Sequence, residues 1–124
     1  MKKILIVDDE KDVRDLLEER LTQSKYTVRT AANGKEALNI AATTRPDLVL
    51  LDIAMPEMDG YLTCENLKKS PKTRDIPILF LTGKDLDPDG ILQRCRDLGA
   101  AGHFSKLSSL TELLKKIKEI IGAE

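Results

Sequence analysis

The chain alternates between short apolar runs and longer stretches in which apolar residues recur at helical spacing. The runs at residues 4–7, 48–51 and 78–81 are apolar at every position. Such runs are typical of strands buried on both faces of a parallel sheet that helices cover. The hydrophobic pattern therefore predicts an α/β protein with at least three inner strands.

Two weaker strands complete the pattern, one that alternates over residues 26–31 and a short one over residues 101–105. Each strand is followed by a predicted helix, which gives five strand–helix pairs. Because crossovers between parallel strands are right-handed, the helices should cover both faces of one sheet. We predict a doubly wound α/β domain and assign it, by analogy, the flavodoxin-like strand order 2-1-3-4-5, which fits because it places the three most apolar strands in the middle.

Helix boundaries are marked by capping signals. Asn33 with Glu36, and Ser109 with Glu112, have the spacing of capping boxes at helix starts. Helical spacing also predicts which side chains face the sheet. The predicted apolar faces are Val13, Leu16, Leu17 and Leu21; Ala37, Leu38 and Ala41; Ile91, Leu92, Cys95 and Leu98; and Leu110, Leu113, Leu114, Ile117, Ile120 and Ile121.

Composition and net charge argue against several classes of protein. With 124 residues, 41% hydrophobic and 33% charged, the chain reads as one domain over residues 1–124, with no output domain visible. A net charge of −1 gives no bulk electrostatic reason to bind nucleic acid or a membrane surface, and no apolar run approaches the roughly 20 residues of a membrane span. Cys64 and Cys95 lack metal-ligand spacing, so we expect them to be buried in a protein of the reducing cytoplasm.

Charged and polar residues follow the strands. Asp8 and Asp9 follow the first, Asp52 the third, Thr82 closes the fourth and Lys106 follows the fifth. Because strands one and three are neighbours in the predicted order, three carboxylates should converge at one edge of the sheet. Clustered carboxylates repel unless a cation lies among them, and oxygen ligands at a wet edge suit Mg²⁺. A carboxylate, a divalent cation, a lysine and a hydroxyl together form a site for a phosphoryl group.

The same residues stand in segments that resemble the receiver domain of two-component response regulators. These segments are Ile-Leu-Ile-Val-Asp-Asp-Glu at 4–10, Leu-Asp-Ile-Ala-Met-Pro-Glu-Met-Asp-Gly at 51–60, Leu-Thr-Gly at 81–83 and Gly-Ala-Ala-Gly-His-Phe-Ser-Lys at 99–106. Each segment alone is a weak signal, but together they stand in the right order, and the resemblance spans essentially the whole chain.

The resemblance implies that Asp52 accepts a phosphoryl group from a sensor histidine kinase or a phosphotransfer protein. It implies a Mg²⁺ site in which Asp9 and Asp52 bind directly, Asp8 binds through water, and the backbone carbonyl of Ala54 completes the protein ligands. The protein would be a phosphoacceptor that promotes only its own phosphorylation and dephosphorylation, and not an enzyme acting on other substrates.

The resemblance also implies a switch. Lys106 and Thr82 would contact the phosphoryl oxygens, and His103 stands where the family often carries an aromatic residue that turns inward as the threonine moves. The responding face would lie near helix four, strand five and helix five. We expect it to bind a downstream protein, in a domain that is a monomer or a phosphorylation-dependent dimer. Ala54 and Lys84, which flank the site, are expected to affect the lifetime of the phosphoryl group.

The chain departs from the family at Leu107, where the family usually has a proline after the lysine, commonly with a cis peptide bond. A cis bond before a residue other than proline costs about 2.5–4 kcal/mol. We therefore predict a trans Lys106–Leu107 bond and a different path of the loop into the last helix.

Other interpretations stay open at this stage. Asp8 and Asp9 alone would also suit the start of a helix, and His103 alone would suit packing. Leu107 is the one feature that favours a pseudo-receiver, a binding module that is not phosphorylated. A Mg²⁺-dependent aspartyl phosphatase would need a second acid where this chain has Ala54. A flavodoxin-like electron carrier would need aromatic residues to stack a flavin, and the chain has two Tyr, two Phe and no Trp.

Overall fold

Five strands form one parallel sheet in the computed structural model, which describes residues 1–83 and 87–122. The strands are β1 (Lys3–Val7), β2 (Thr27–Ala31), β3 (Leu48–Asp52), β4 (Ile78–Thr82) and β5 (Gly102–Ser105). The helices that follow them are α1 (Lys11–Gln23), α2 (Gly34–Thr44), α3 (Gly60–Lys69), α4 (Pro88–Leu98) and α5 (Leu110–Ile121). In the part of the chain that the structure describes, no helix is both long and apolar enough to cross a membrane.

The strand order is β2-β1-β3-β4-β5, as the sequence predicts. The three continuous apolar runs form the inner strands β1, β3 and β4, and every residue of β3 and β4 is buried. The edge strand β2 alternates between exposed and half-buried positions up to the buried Ala31, and the edge strand β5 is half-buried throughout. The flavodoxin-like doubly wound fold is thus confirmed.

Helices pack on both faces of the sheet. Because successive strand residues point to opposite faces, each inner strand contributes to two hydrophobic layers. On one face Leu51 and Phe80 pack with residues of α2, α3 and α4. On the other face Leu50 and Leu81 pack with residues of α1 and α5. The sheet is therefore covered on both sides, and its carboxyl edge is left open between the two layers of helices.

The predicted helix starts are confirmed by their hydrogen bonds. Asn33 Oδ1 accepts from the Glu36 N–H at 2.9 Å, and Glu36 Oε1 accepts from the Ala32 N–H at 2.9 Å. At the start of α5, Ser109 Oγ accepts from the Glu112 N–H at 3.2 Å. These side chains bind amide groups that a helix leaves without an internal partner.

Two side chains on the predicted apolar faces are exposed instead. Leu16 on α1 is 53% exposed and Leu92 on α4 is 43% exposed. Helical spacing identified the side of each helix that faces the sheet, but the apolar stripe is wider than the strip that the sheet covers. The prediction for Cys64 and Cys95 is confirmed, since both thiols are buried.

A glycine brings the start of α3 against the end of β3. The Gly60 N–H donates to the Ile53 carbonyl at 2.9 Å. A Cβ at residue 60 would lie 2.8 Å from Ile53 Cα and closer still to the carbonyl oxygen of Asp52. Only glycine allows this approach of two backbone segments. The turn is completed by Asp59, whose Oδ1 accepts from the Leu62 N–H at 2.8 Å.

Candidate functional site

The residues predicted at the strand ends meet at the carboxyl edge of the sheet. Asp8 follows β1, Asp52 is the last residue of β3, Thr82 is the last residue of β4 and Lys106 follows β5. Parallel pairing of β1 with β3, β3 with β4 and β4 with β5 puts these ends side by side. This edge is where open α/β sheets bind their ligands.

The ammonium group of Lys106 lies at the centre of the site. Its Nζ is 2.7 Å from Asp8 Oδ2, 3.3 Å from Asp52 Oδ1 and 3.8 Å from Glu10 Oε1. The lysine side chain is 20% exposed, whereas the side chains of Asp8 and Asp52 are 0% and 4% exposed. One cation therefore bridges two buried carboxylates and approaches a third at the surface.

Asp52 is an unusual carboxyl group in this setting. Burial and, to a smaller extent, the neighbouring Asp8 carboxylate raise its pKa from the ordinary 3.8 to about 6. The Lys106 ammonium and the N–H of Ala54, which donates to Asp52 Oδ1 at 3.3 Å, oppose this shift. Asp52 is consequently ionised at neutral pH, but its charge is only partly compensated by the protein.

Burial and neighbouring charges act in opposite directions on the pKa of Lys106 as well. Burial alone would lower the pKa of its ammonium group, but the two carboxylates of Asp8 and Asp52 outweigh burial and raise it. The lysine therefore remains a fixed positive charge throughout the neutral range.

Asp8 is held by two residues that the sequence prediction did not assign to the site. Its Oδ1 accepts from the Glu10 N–H at 2.9 Å, and its backbone carbonyl accepts from Arg14 Nη1 at 2.8 Å. Glu10 could have been found, because it completes a run of three acids. Arg14 gave no signal of its own, since its contact depends on how α1 packs against the end of β1.

The acids at the end of β1 fit a divalent cation. One carboxylate oxygen from each of Asp8, Asp9 and Glu10 can be chosen such that all three lie within 4.8 Å of one another. Asp9 and Glu10 are exposed, so water reaches the group. Mg²⁺ prefers oxygen ligands and retains several waters, which suits an open group of this kind. Asp52 is not one of these three residues, but its carboxylate and that of Asp8 both lie close to the Lys106 ammonium.

Thr82 and His103 lie on neighbouring strands beside the acids. Thr82 is 5% exposed, and its Oγ1 donates to the Phe104 carbonyl at a long 3.4 Å. His103 is half-buried on β5 and lies opposite Phe80 in the register of β4. Thr82 therefore borders the acidic group. His103 lies two residues before the end of β5, further from the carboxyl edge, and is not part of the acidic group.

The loop after β5 holds Lys106 in place without a proline. None of the described peptide bonds is cis, and Leu107 is 74% exposed. The Lys106 N–H donates to the Thr82 carbonyl at 2.9 Å, which continues the pairing of β5 with β4. The predicted flanking residue Ala54 contacts Asp52 through its N–H. Lys84, the other predicted flanking residue, lies outside the described residues.

Comparison with known proteins gives a consistent picture. The family model described as "Response regulator receiver domain" matches residues 4–118. The alkaline phosphatase synthesis transcriptional regulatory protein PhoP of Bacillus subtilis is 41% identical over 120 residues, which are 97% of this chain and 48% of that protein. The probable transcriptional regulator ycf27 of Cyanophora paradoxa is 43% identical over 97% of this chain and 48% of its own length. The chain thus spans about half the length of these relatives.

Solved structures match over nearly the whole chain. The chemotaxis protein CheY4 of Vibrio cholerae superposes with a TM-score of 0.89 at 32% identity, covering 97% of this chain and 98% of its own. The BeF3-activated receiver domain of Klebsiella pneumoniae RstA gives a TM-score of 0.86 at 30% identity, with 97% of this chain and 98% of that chain covered.

Proposed function

The chain belongs to the response regulator receiver domains of two-component signal transduction, and on that premise we propose that Asp52 accepts a phosphoryl group from a sensor histidine kinase or a phosphotransfer protein. The observation that carries this proposal is the position of the Lys106 ammonium, whose Nζ lies 3.3 Å from Asp52 Oδ1 and 2.7 Å from Asp8 Oδ2. It places a fixed cation beside the one carboxylate at the end of the central strand.

Transfer would use the carboxylate of Asp52 as the nucleophile. One of its oxygens forms the new O–P bond while the P–N bond to the imidazole of the donor breaks, and the leaving nitrogen takes up a proton. Ionised Asp52 is required for this step, and a pKa of about 6 leaves it ionised at neutral pH. Burial also limits the water around the carboxylate, which strengthens its interactions with nearby charges.

Lys106 and Thr82 would receive the transferred group. The lysine ammonium lies close enough to Asp52 to contact a phosphoryl oxygen after a small movement. Among the described residues, the hydroxyl of Thr82 has only a long bond to the Phe104 carbonyl, so turning toward a phosphoryl oxygen would cost little. Fixed donors of this kind stabilise the charge of the transferred group.

We further propose that the acids hold Mg²⁺, with Asp9 and Asp52 as direct ligands, Asp8 acting through water and the Ala54 carbonyl completing the protein ligands. When bound, Mg²⁺ would neutralise negative charge on the phosphoryl oxygens and on the carboxylates. The oxygen donors of Asp8, Asp9 and Glu10, gathered after β1, support a cation site there, whereas the roles of Asp52 and Ala54 rest on the family resemblance.

Phosphorylation would switch a protein-binding face formed by α4, β5 and α5. Turning Thr82 away from Phe104 removes a contact between β4 and β5, and the half-buried His103 on β5 can respond to the space that Thr82 leaves. The ligand-dependent shift between two states is the usual basis of such switches. The downstream partner would be another protein, with no binding of nucleic acid or membrane by this domain itself.

In this proposal residues 1–124 act as one receiver domain in the cytoplasm, as a monomer or as a dimer that forms upon phosphorylation. The domain would promote only its own phosphorylation and dephosphorylation. The position of Lys106 favours this function over a pseudo-receiver, because the lysine reaches Asp52 even though Leu107 replaces the family proline. Ala54, at the position where an aspartyl phosphatase carries its second acid, argues against that enzyme class.

A titration with beryllofluoride and Mg²⁺, followed by two-dimensional NMR, tests the proposal. Beryllofluoride mimics a phosphoryl group on a carboxylate. We expect shifts at Asp52, Thr82 and Lys106 that extend to His103 and α5. The Asp52→Asn variant should show none of these shifts, because its amide is not a nucleophile and binds the mimic poorly.

The control for folding is the spectrum of metal-free Asp52→Asn, which should resemble that of the wild type away from the pocket. Absence of any shift in the wild type would refute the phosphoacceptor role. Shifts confined to the pocket would refute the switch but not the chemistry.

A further inference from the structure

The segment that carries Lys106 has little packing to fix it. Lys106 lies between the half-buried Ser105 and Leu107, which is 74% exposed. Its own side chain is held by carboxylates that Mg²⁺ would also use. The backbone of this segment must therefore be fixed by hydrogen bonds if Lys106 is to keep its direction when the carboxylates are shared.

Those hydrogen bonds come from Ser105. Its Oγ accepts from the Leu107 N–H at 3.1 Å, and its carbonyl accepts from the Ser108 N–H at 3.1 Å. On the other side, the Lys106 N–H donates to the Thr82 carbonyl at 2.9 Å. The hydroxyl group of Ser105 thus bonds the residue before Lys106 to the residue after it.

This arrangement depends on the departure of the chain from its family. A proline at position 107 would have no N–H and could not donate to Ser105. Leucine supplies the donor, and the serine at position 105 supplies the acceptor.

We propose that the Ser105 hydroxyl is a positioning group for Lys106, which directs the lysine toward Asp52 by fixing the backbone on either side of it. Side-chain hydroxyls close turns of this kind by accepting an N–H two residues on. With the bond in place the backbone on both sides of Lys106 is fixed, and the lysine stays aimed at the pocket. The inference rests on the proposed function, since Lys106 matters only if a phosphoryl group arrives beside it.

The experiment measures the rate constant for phosphorylation by acetyl phosphate with Mg²⁺. Ser105→Ala should lower it about fivefold, because the lost hydrogen bond is worth about 1 kcal/mol of correct positioning. Ser105→Thr, which keeps the hydroxyl, should restore it to within about twofold. Ser108→Ala is the matched control in the same loop, since the described structure gives its side chain no hydrogen bond, and it should leave the rate unchanged.

A double variant tests the route of the effect. Leu107→Pro removes the donor, so adding Ser105→Ala to it should change the rate by less than about 1.5-fold. Non-additivity of this kind identifies groups that act through one interaction. An undiminished fivefold loss in the proline background would overturn the proposal, as would a wild-type rate in Ser105→Ala.

A second readout does not depend on turnover. The ¹⁵Nζ signal of Lys106 in the metal-free protein should shift in Ser105→Ala and not in Ser108→Ala. An unchanged Lys106 signal in Ser105→Ala would count against a positioning role. If wild-type protein took up no phosphoryl group at all, the proposed function would fail, whereas an active wild type with an equally active Ser105→Ala would sink only this inference.

Discussion

The strands that bring the two opposite charges of the pocket together, β3 and β5, are packed in different ways. β3 lies in the middle of the sheet, all of its residues are buried, and it pairs with a strand on each side. β5 is an edge strand, all four of its residues are half-buried, and within residues 1–83 and 87–122 it pairs only with β4. Asp52 ends the first strand and Lys106 follows the second.

The difference in packing between β3 and β5 matches the different ways in which Asp52 and Lys106 are held. The proposed acceptor Asp52 ends a strand that is fixed by hydrophobic layers on both faces of the sheet, and burial raises its pKa. The cation Lys106 is placed by hydrogen bonds and ion pairs just after a strand that has less packing to hold it. A receiver needs a precise acceptor and a surrounding that can rearrange, and the inner and edge strands provide one each.

The largest expected effect compares the two phenylalanines of the chain. Phe80 on β4 is 0% exposed, whereas Phe104 on β5 is half-buried. Phe80→Ala should reduce the free energy of unfolding by about 3–5 kcal/mol, and Phe104→Ala by about half as much. Urea unfolding at pH 7.5 measures both. Equal losses of unfolding free energy in the two variants would show that β5 is packed as firmly as the inner strands, which would contradict the contrast between β3 and β5.

A smaller effect concerns the burial of Asp52. The pKa of Asp52 is about 6 in the folded protein, against the ordinary value of 3.8 for the unfolded chain. Between these two pH values the folded protein therefore binds more protons than the unfolded chain does. Stability therefore falls as pH rises through this window, by about 2–3 kcal/mol. Asp52→Asn carries no such charge. In EDTA at pH 7.5 it should be more stable than the wild type by about this amount, and about equally stable near pH 3.5.

Asp75→Asn serves as the control for this comparison, because Asp75 is exposed and lies in the α3–β4 connection away from the pocket. It should change the free energy of unfolding by less than about 0.5 kcal/mol at either pH. A gain for Asp52→Asn that did not depend on pH would contradict the burial argument.

The smallest effect concerns competition between Lys106 and Mg²⁺. Lys106→Met removes the positive charge next to Asp8 and Asp52, so Mg²⁺ should bind about fivefold more tightly. Calorimetric titration with MgCl2 measures the affinity. Lys11→Met removes a lysine whose side chain is 77% exposed and paired with Asp15, and it should change the affinity by less than twofold. Equal changes in both variants would mean that Lys106 acts only through net charge.

Much of the fold could be predicted because the sequence is locally consistent. The apolar runs of β1, β3 and β4 and the caps at Asn33 and Ser109 each depend on residues a few positions apart. The strand ends then followed from topology, since parallel strands finish at a common edge. This is why Asp8, Asp52, Thr82 and Lys106 could be placed together before any coordinates.

What could not be predicted depends on how elements pack against each other. Leu16 and Leu92 have the spacing of buried residues but lie beyond the strip that the sheet covers. The bond from Arg14 to the Asp8 carbonyl requires the docked position of α1. The hydrogen bond from the Leu107 N–H to Ser105 Oγ depends on the path of the backbone after β5. Because Leu107 stands where the family usually has a proline, the sequence alone could not predict that path.

The close approach of Gly60 to β3 has a mechanical consequence. The backbone of α3 rests on the backbone of Asp52 and Ile53, with no side chain between them that could change rotamer and absorb a displacement. We therefore expect the start of α3 and the proposed acceptor Asp52 to move together. α3 would then serve as a reference within the domain, against which a distance measured to β5 or α5 would report the movement of the proposed switch.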